Sequence, residues 1–136
     1  GGPHLNQIAA AAVALAEANR PAFKKYAKQV IKNAKALAGE LTRLGYRLVG
    51  GGTDSHLILV DVWRAGKGLS GKAASDLLER HGIIVNKNTI PFDSRSPADP
   101  SGIRLGTPAE TTRGKTEKDF INIARQIDQI LSHGKK

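Results

Sequence analysis

The sequence contains no cysteine and no methionine among its 136 residues, and only 4% of them are aromatic. The absence of cysteine excludes disulfide bonds, thiol catalysis and thiolate metal sites. The longest apolar run, from Ile8 to Ala16, is far shorter than the roughly 20 residues that cross a bilayer, so a membrane protein is not expected. A cytoplasmic enzyme is the default expectation. The chain begins at Gly1 without an initiator methionine or a signal or transit segment, so we expect that its N-terminus was cut or engineered.

Acidic residues are few, since 12 Asp and Glu stand against 21 Lys and Arg and give a formal net charge of +9. Between Arg20 and Lys35 there are six bases and no acid. On a helix, five of these bases form one cationic stripe, which consists of Lys24, Lys25, Lys28, Lys32 and Lys35. The apolar residues of the same segment recur on the opposite side. We interpret the stripe as a solvated or subunit-facing surface, with a site for nucleic acid or an acidic partner as the alternative.

Helical periodicity marks four segments, which run from Leu5 to about Asn19, from Pro21 to Leu44, from Ser70 to Gly82 and from Thr116 to Leu131. Three short apolar segments are predicted strands, over 56–62, 83–85 and 103–105. The three prolines between Pro91 and Pro100 predict a loop. This order of elements indicates an α+β or mixed α/β domain in which long helices pack on one side of a small three-stranded sheet.

The helical segments also predict which residues are buried. The apolar side of the second helix is expected to contain Phe23, Ala27, Val30, Ala34, Leu37, Leu41 and Leu44. The alanine-rich first helix is expected to pack closely against another element, because its side chains are small. Asp61 follows a buried strand, and we expect it to anchor the strand end.

Two features indicate binding chemistry. Arg104 alternates with apolar neighbours on a short strand between glycines, which predicts a half-buried guanidinium. Such a group requires an acidic partner, and a ligand carboxylate and a structural Asp or Glu are equally compatible with the pattern. Gly1-Gly2-Pro3 before a helix can bind an anion, although a cloning remnant or an ordinary turn has the same appearance. The four histidines are too widely spaced to predict a metal site.

Several blocks of the sequence resemble serine hydroxymethyltransferases in order and in spacing. The four main blocks are GGPH (1–4), GGTDSHLILVD (51–61), VNKNTIPFD (85–93) and SGIRLGTPA (101–109). The resemblance extends to KNAKALA (32–38) and TTRG (111–114), and so covers nearly the whole chain. Within it, Ser55 replaces a more usual asparagine, and Leu5-Asn6 replaces Asn-His.

The resemblance implies both a fold and an activity. Residues 21–136 would form the C-terminal small domain of a fold-type I transferase that depends on pyridoxal phosphate (PLP), and residues 1–20 a helix that links it to a larger N-terminal domain. Enzymes of this family interconvert serine and glycine and pass the one-carbon unit to tetrahydrofolate. A homodimer or a dimer of dimers is implied, and neither a membrane nor a nucleic acid is expected as a partner.

The resemblance also assigns roles to individual residues. Arg104 matches the residue that holds the substrate carboxylate, Asn88 a contact to the pterin of the folate with Lys87 beside it, and Gly1 and Gly2 the glycines that hold the PLP phosphate across the dimer interface. None of the twelve lysines follows a histidine in the Thr-rich motif of the lysine that bears PLP. We therefore expect no catalytic residue in this chain and no activity of the chain alone. The rival hypothesis is a non-catalytic binding module of the same ancestry that uses the cationic stripe.

Overall fold

The computed structural model of the chain describes residues 2–64 and 68–133. The helices of these residues are α1 (Leu5–Ala18), α2 (Pro21–Arg43), α3 (Gly71–Arg80), α4 (Pro108–Thr112) and α5 (Glu117–His133). The four longer helices confirm the segments that the apolar periodicity predicts. Helix α4 is a short helix that follows the last strand. Its five residues are too few to show a helical period in the sequence.

The ends of α3 explain an error in the predicted strands. The Ser70 hydroxyl oxygen accepts a hydrogen bond from the Ala73 N–H, as expected for an N-cap. At the other end Gly82 adopts a φ of 79°, and the Ile83 N–H donates to the Leu78 carbonyl at 3.0 Å. This is the hydrogen bond of a glycine-terminated helix. Because Ile83 serves the helix end, the strand predicted over 83–85 is wrong, and the strand begins only at residue 86.

The strands form a single antiparallel sheet. They are β1 (Arg47–Leu48), β2 (Leu57–Asp61), β3 (Asn86–Asn88) and β4 (Gly102–Gly106), in the spatial order β1-β2-β4-β3. Since β4 is antiparallel to both β2 and β3, these two run in the same direction, and α3 lies between them in the chain. The predicted mixed α/β class is confirmed. The sheet has four strands rather than three, because β1 contains only two residues and shows no alternation.

One face of the sheet carries the hydrophobic core. Helices α2, α3 and α5 cover this face, and their buried residues join those of the strands, including Leu37, Leu41, Ile58, Val60, Leu78, Ile103, Leu105, Phe120, Ile127 and Leu131. The predicted apolar side of α2 is buried from Val30 to Leu41, and Leu44 is partly buried. The prediction is wrong for Phe23, which is 46% exposed and contacts only the ring of Tyr26 among the aromatic side chains described. The core elements cover only the later turns of α2.

Asp61 fixes the end of β2, as expected. Its side chain is fully buried, and one oxygen accepts hydrogen bonds from the N–H groups of Trp63 and Arg64 at 3.0 and 2.9 Å. The other oxygen pairs with the guanidinium of Arg47 at 2.9 Å. Because Arg47 belongs to β1 and is paired with Asp61 in the sheet register, this ion pair also explains why so short a strand stays in place.

Glu40 joins α2 to α5. The residue is only 8% exposed, and Arg43 donates two hydrogen bonds to its carboxylate at 2.8 and 2.7 Å. Arg125, on α5, donates a further bond of 2.8 Å. The hydrogen bonds from Arg43 and then Arg125 lower the pKa of Glu40 from 4.5 to about 2. The carboxylate is therefore held in its charged form in the folded chain.

We expect this cluster to make stability depend on pH. The unfolded chain protonates Glu40 near pH 4.5, whereas the folded chain resists protonation down to about pH 2. The stabilisation is therefore complete above pH 4.5 and is lost as the pH falls towards 2. The measurement is the unfolding temperature of the chain and of Glu40→Gln from about pH 6 to pH 3, over which the difference should shrink. A difference that stays constant with pH would contradict this assignment.

Helix α1 stands apart from the core. None of its residues is buried, and Leu5 and Leu15 are each 72% exposed. No described part of the chain covers its apolar side chains, so the close packing expected for this helix does not occur within residues 2–64 and 68–133. Among the helices described, none is long and apolar enough to cross a membrane. The division into a linking helix and a small domain stays a prediction.

Candidate ligand-binding face

The second face of the sheet is open. We call the open face the set of side chains that alternate with the core residues, namely Leu57, Leu59, Asn86, Asn88 and Arg104. On β4, Ile103 and Leu105 are buried while Arg104 between them is exposed. This is the period of two that a strand imposes, and it puts the guanidinium on the side away from the helices.

Arg104 lies in the middle of this face. It is paired with Leu59 on one neighbouring strand and with Asn86 on the other. Side chains directly opposite each other in a sheet are in contact distance, so an apolar residue and an amide flank the guanidinium. Within residues 2–64 and 68–133, Arg104 makes no hydrogen bond or ion pair. The half-buried position expected for Arg104 is wrong, because no described element covers the open face.

The structure brings Asn88 to the same face but not Lys87. Asn88 is paired with Gly102, two residues before Arg104 on β4, and its amide nitrogen donates to the Thr89 carbonyl at 2.7 Å. Lys87 is paired with Ile103 and therefore lies on the opposite side of the strand. Its ammonium donates to the Ala98 carbonyl at 2.7 Å. The two neighbours in sequence thus have different surroundings.

Two glycines allow α3 to approach the start of β4. A Cβ on Gly71 would lie 2.1 Å from the carbonyl oxygen of Gly102, and the Gly71 N–H donates to the Pro100 carbonyl at 2.6 Å. A Cβ on Gly102 would lie 2.8 Å from the Asn88 carbonyl oxygen and 2.7 Å from Cγ2 of Ile90. Any side chain at either position would collide with the backbone. In the sequence only the glycine that follows the Ser70 cap marks this contact, and a glycine at that position does not by itself predict it.

The loop between β3 and β4 is organised by Asp93. The carboxylate accepts hydrogen bonds from the hydroxyl and the N–H of Ser101 at 2.6 and 2.9 Å, and from the N–H groups of Ile90 and Arg95 at 3.2 and 3.0 Å. Burial alone would raise the pKa of Asp93, but these hydrogen bonds outweigh it and hold the pKa well below its usual range. The guanidinium of Arg95 stacks 4.2 Å from the centre of the Trp63 ring. The loop therefore holds β3 and β4 in a defined register.

The start of the chain is described from Gly2. Gly1, which the sequence analysis assigned to phosphate binding, lies outside the described residues. The His4 carbonyl accepts the first helical hydrogen bonds, from Gln7 and Ile8 at 3.0 and 3.1 Å, so exposed backbone precedes α1. A Cβ on Gly2 would have no atom within 4 Å, and nothing described here requires a glycine. An exposed glycine before a helix start fits a phosphate, because the N–H groups and the helix dipole favour an anion there.

The cationic stripe lies on the exposed side of α2. All five of its lysines are exposed, and Lys35 pairs with Asp54 at 3.1 Å. This confirms the solvent-facing part of its interpretation. Among the described residues, no group of three or more His, Asp or Glu side chains is placed to hold a metal ion.

Comparison with known proteins identifies relatives of the chain. A family model described as serine hydroxymethyltransferase matches residues 1–127. Two curated proteins named serine hydroxymethyltransferase, from the Ames and the Paris strains of Leptospira biflexa serovar Patoc, are each 54% identical over 133 residues. The alignment covers 98% of this chain and 32% of each relative. The chain thus spans about a third of the length of these relatives.

Proposed function

Because the chain belongs to the serine hydroxymethyltransferase family, we propose that it forms the C-terminal part of a PLP-dependent enzyme that interconverts serine and glycine. Tetrahydrofolate is the proposed acceptor of the one-carbon unit. The observation that carries the proposal is the position of Arg104, which is exposed on the open face with no acidic partner among the described residues. Of the two partners compatible with the sequence, a ligand carboxylate is therefore favoured over a structural Asp or Glu.

Arg104 is proposed to hold the carboxylate of the amino acid. A guanidinium is planar and donates two parallel hydrogen bonds to a carboxylate, which fixes both the position and the direction of the bound molecule. Serine and glycine share this carboxylate and differ only in the side chain. One arginine can therefore orient both the substrate and the product, so that the bond to the hydroxymethyl group is presented to the reacting centre.

Asn88 is proposed to contact the pterin of the folate. Its amide lies on the open face with Arg104, and its carbonyl oxygen can accept a hydrogen bond from a ligand. Lys87 has less support in this role, because it lies on the other side of β3 and donates to Ala98. The open face thus offers one group for the amino acid and one for the folate.

Gly1 and Gly2 are proposed to help hold the phosphate of PLP. The open surroundings of Gly2 and the start of α1 fit an anion. When bound, PLP supplies an electron sink for the amino acid, and the protein provides orientation. The lysine that bears PLP is proposed to come from sequence beyond these 136 residues. The dimeric state and the cytoplasmic location stay predictions.

A hybrid enzyme tests the proposal. In it, this chain replaces the segment that it matches in the Leptospira biflexa relative. We expect the hybrid to form glycine from serine in a reaction that requires both PLP and tetrahydrofolate, because the chain would supply the carboxylate and folate contacts. The unaltered relative, prepared in the same way, is the control. A folded hybrid that takes up PLP but forms no glycine would contradict the proposal.

A further inference from the structure

The strand that carries Arg104 is followed directly by a buried, hydrogen-bonded threonine, Thr107. Thr107 is fully buried, and its hydroxyl donates to the carbonyl of Val30 in the middle of α2 at 3.0 Å. Its backbone N–H donates to the carbonyl of His56, just before β2, at 3.2 Å. One residue therefore ties the end of β4 to a helix on one side and to the neighbouring strand on the other.

The same threonine belongs to a longer network. The Thr107 carbonyl accepts a hydrogen bond from the hydroxyl of Thr111 at 2.8 Å. The Thr111 hydroxyl oxygen in turn accepts a bond from the amide of Asn33 at 2.9 Å, and Asn33 is also fully buried. Asn33 further donates to the Lys115 carbonyl at 2.9 Å and accepts from Gln29 at 2.8 Å. The network joins the three segments 32–38, 101–109 and 111–114, all of which resemble the family. Arg104 is the one residue in these segments to which the resemblance assigns a ligand contact.

Helix α2 does not need the hydrogen bond from the Thr107 hydroxyl. A carbonyl in the middle of an α-helix already accepts the N–H four residues further on, so the Val30 carbonyl does not depend on Thr107. By contrast, the end of β4 does depend on the Thr107 hydroxyl, because the residue before Thr107 is Gly106, which has no side chain. A Cβ there would find only ordinary contacts, the nearest at 3.7 Å, so packing does not lock Gly106. In addition to the pairing of Gly106 with Leu57 in the sheet, the hydrogen bonds of Thr107 hold this end of β4.

We propose that Thr107 is a positioning residue for Arg104, and that its hydroxyl sets the direction in which the guanidinium meets the substrate carboxylate. The inference rests on the function proposed for Arg104. Thr107 lies three positions after Arg104, roughly 10 Å away for extended chain. A small shift of the strand end changes the angle at which the planar guanidinium is presented, and a bidentate contact depends on that angle.

The test compares four variants of the hybrid enzyme. Thr107→Val removes the hydroxyl and keeps the shape, whereas Thr107→Ser keeps the hydroxyl. Thr42→Val is the matched control, because Thr42 also donates its hydroxyl to a carbonyl of α2, that of Ala38, at 3.0 Å. Arg104→Lys tests the proposed function itself. The readouts are KM and kcat with serine, KM with tetrahydrofolate, and the unfolding temperature.

We expect Thr107→Val to raise the KM for serine about tenfold, which is less than the roughly 100-fold cost of a misplacement by 1 Å. The KM for tetrahydrofolate should not change, Thr107→Ser should restore the serine KM, and Thr42→Val should leave it unaltered. A role in stability alone would lower the unfolding temperature and the amount of active enzyme without changing KM. If Arg104→Lys raises the serine KM and Thr107→Val does not, positioning by Thr107 is refuted. If Arg104→Lys also leaves it unchanged, the function proposed for Arg104 fails as well.

Discussion

We expect replacement of Arg104 by alanine to raise the serine concentration needed for half-maximal rate in the hybrid enzyme by about 30- to 1000-fold. The physical reason is the loss of the proposed bidentate contact to the substrate carboxylate, which costs on the order of 2 to 4 kcal/mol. The exposed position of Arg104 means that its removal leaves no buried group unpaired within the described chain. The effect should therefore appear in substrate binding and not in stability. Steady-state rates over a range of serine concentrations give the measurement.

Asn88→Ala provides the crossed control for this prediction. It removes the other polar group of the open face, so the KM for tetrahydrofolate should rise and that for serine should stay near its original value. Arg104→Ala should show the reverse pattern, and should raise the KM for glycine in the reverse reaction by the same factor as that for serine. An unchanged serine KM in Arg104→Ala would refute the assignment. If each variant raised the KM for serine and the KM for tetrahydrofolate by the same factor, the substitutions would have disturbed the structure of the open face as a whole.

We expect replacement of Gly71 by alanine to destabilise the chain by about 3 kcal/mol or more, or to prevent folding. The added Cβ would lie 2.1 Å from the carbonyl oxygen of Gly102, and both atoms belong to backbone that cannot move without displacing α3 or β4. Moving α3 would also break the hydrogen bond from Gly71 to Pro100. The measurement is the free energy of unfolding of the chain from urea titrations followed by circular dichroism.

Gly39→Ala is the matched control for Gly71→Ala. Gly39 lies inside α2, and a Cβ there would have no atom within 4 Å. The same substitution should therefore stabilise the chain by about 0.5 to 1 kcal/mol, because alanine favours a helix over the unfolded state. Opposite signs at two helical glycines would isolate the steric effect. A Gly71→Ala chain as stable as Gly39→Ala would show that α3 can move away from β4.

The parts of the fold that the sequence predicts are those with a long repeating pattern. Helices α2 and α5 have apolar residues at helical spacing over many turns, and the alternation around Arg104 correctly indicates that Ile103 and Leu105 are buried, although Arg104 itself is exposed and not half-buried. The two-residue strand β1 has no room for a pattern. The burial of Phe23 depends on which elements lie beside the first turns of α2, and local sequence carries no information on that.

The candidate site shows the same division. Sequence alone leaves Arg104 with two possible partners, and only the fold reveals that no described carboxylate reaches it. Asn88 and Lys87 are adjacent in the sequence, but the pairing of β3 with β4 decides which of them joins Arg104. The role of Asp93 depends on Ser101, eight residues away across a loop, which no periodic pattern marks.

The open face has a mechanical consequence. Asn88 and Arg104 lie on adjacent antiparallel strands, two residues apart in register, and the spacing of a sheet puts their Cα atoms roughly 8 Å apart. The braced loop at Asp93 and the glycine contact at Gly102 prevent either strand from sliding past the other. The two groups therefore behave as parts of one rigid plate. Any movement of this plate would carry the proposed amino-acid contact at Arg104 and the proposed folate contact at Asn88 together, so we expect the two ligands to be bound or released in one movement.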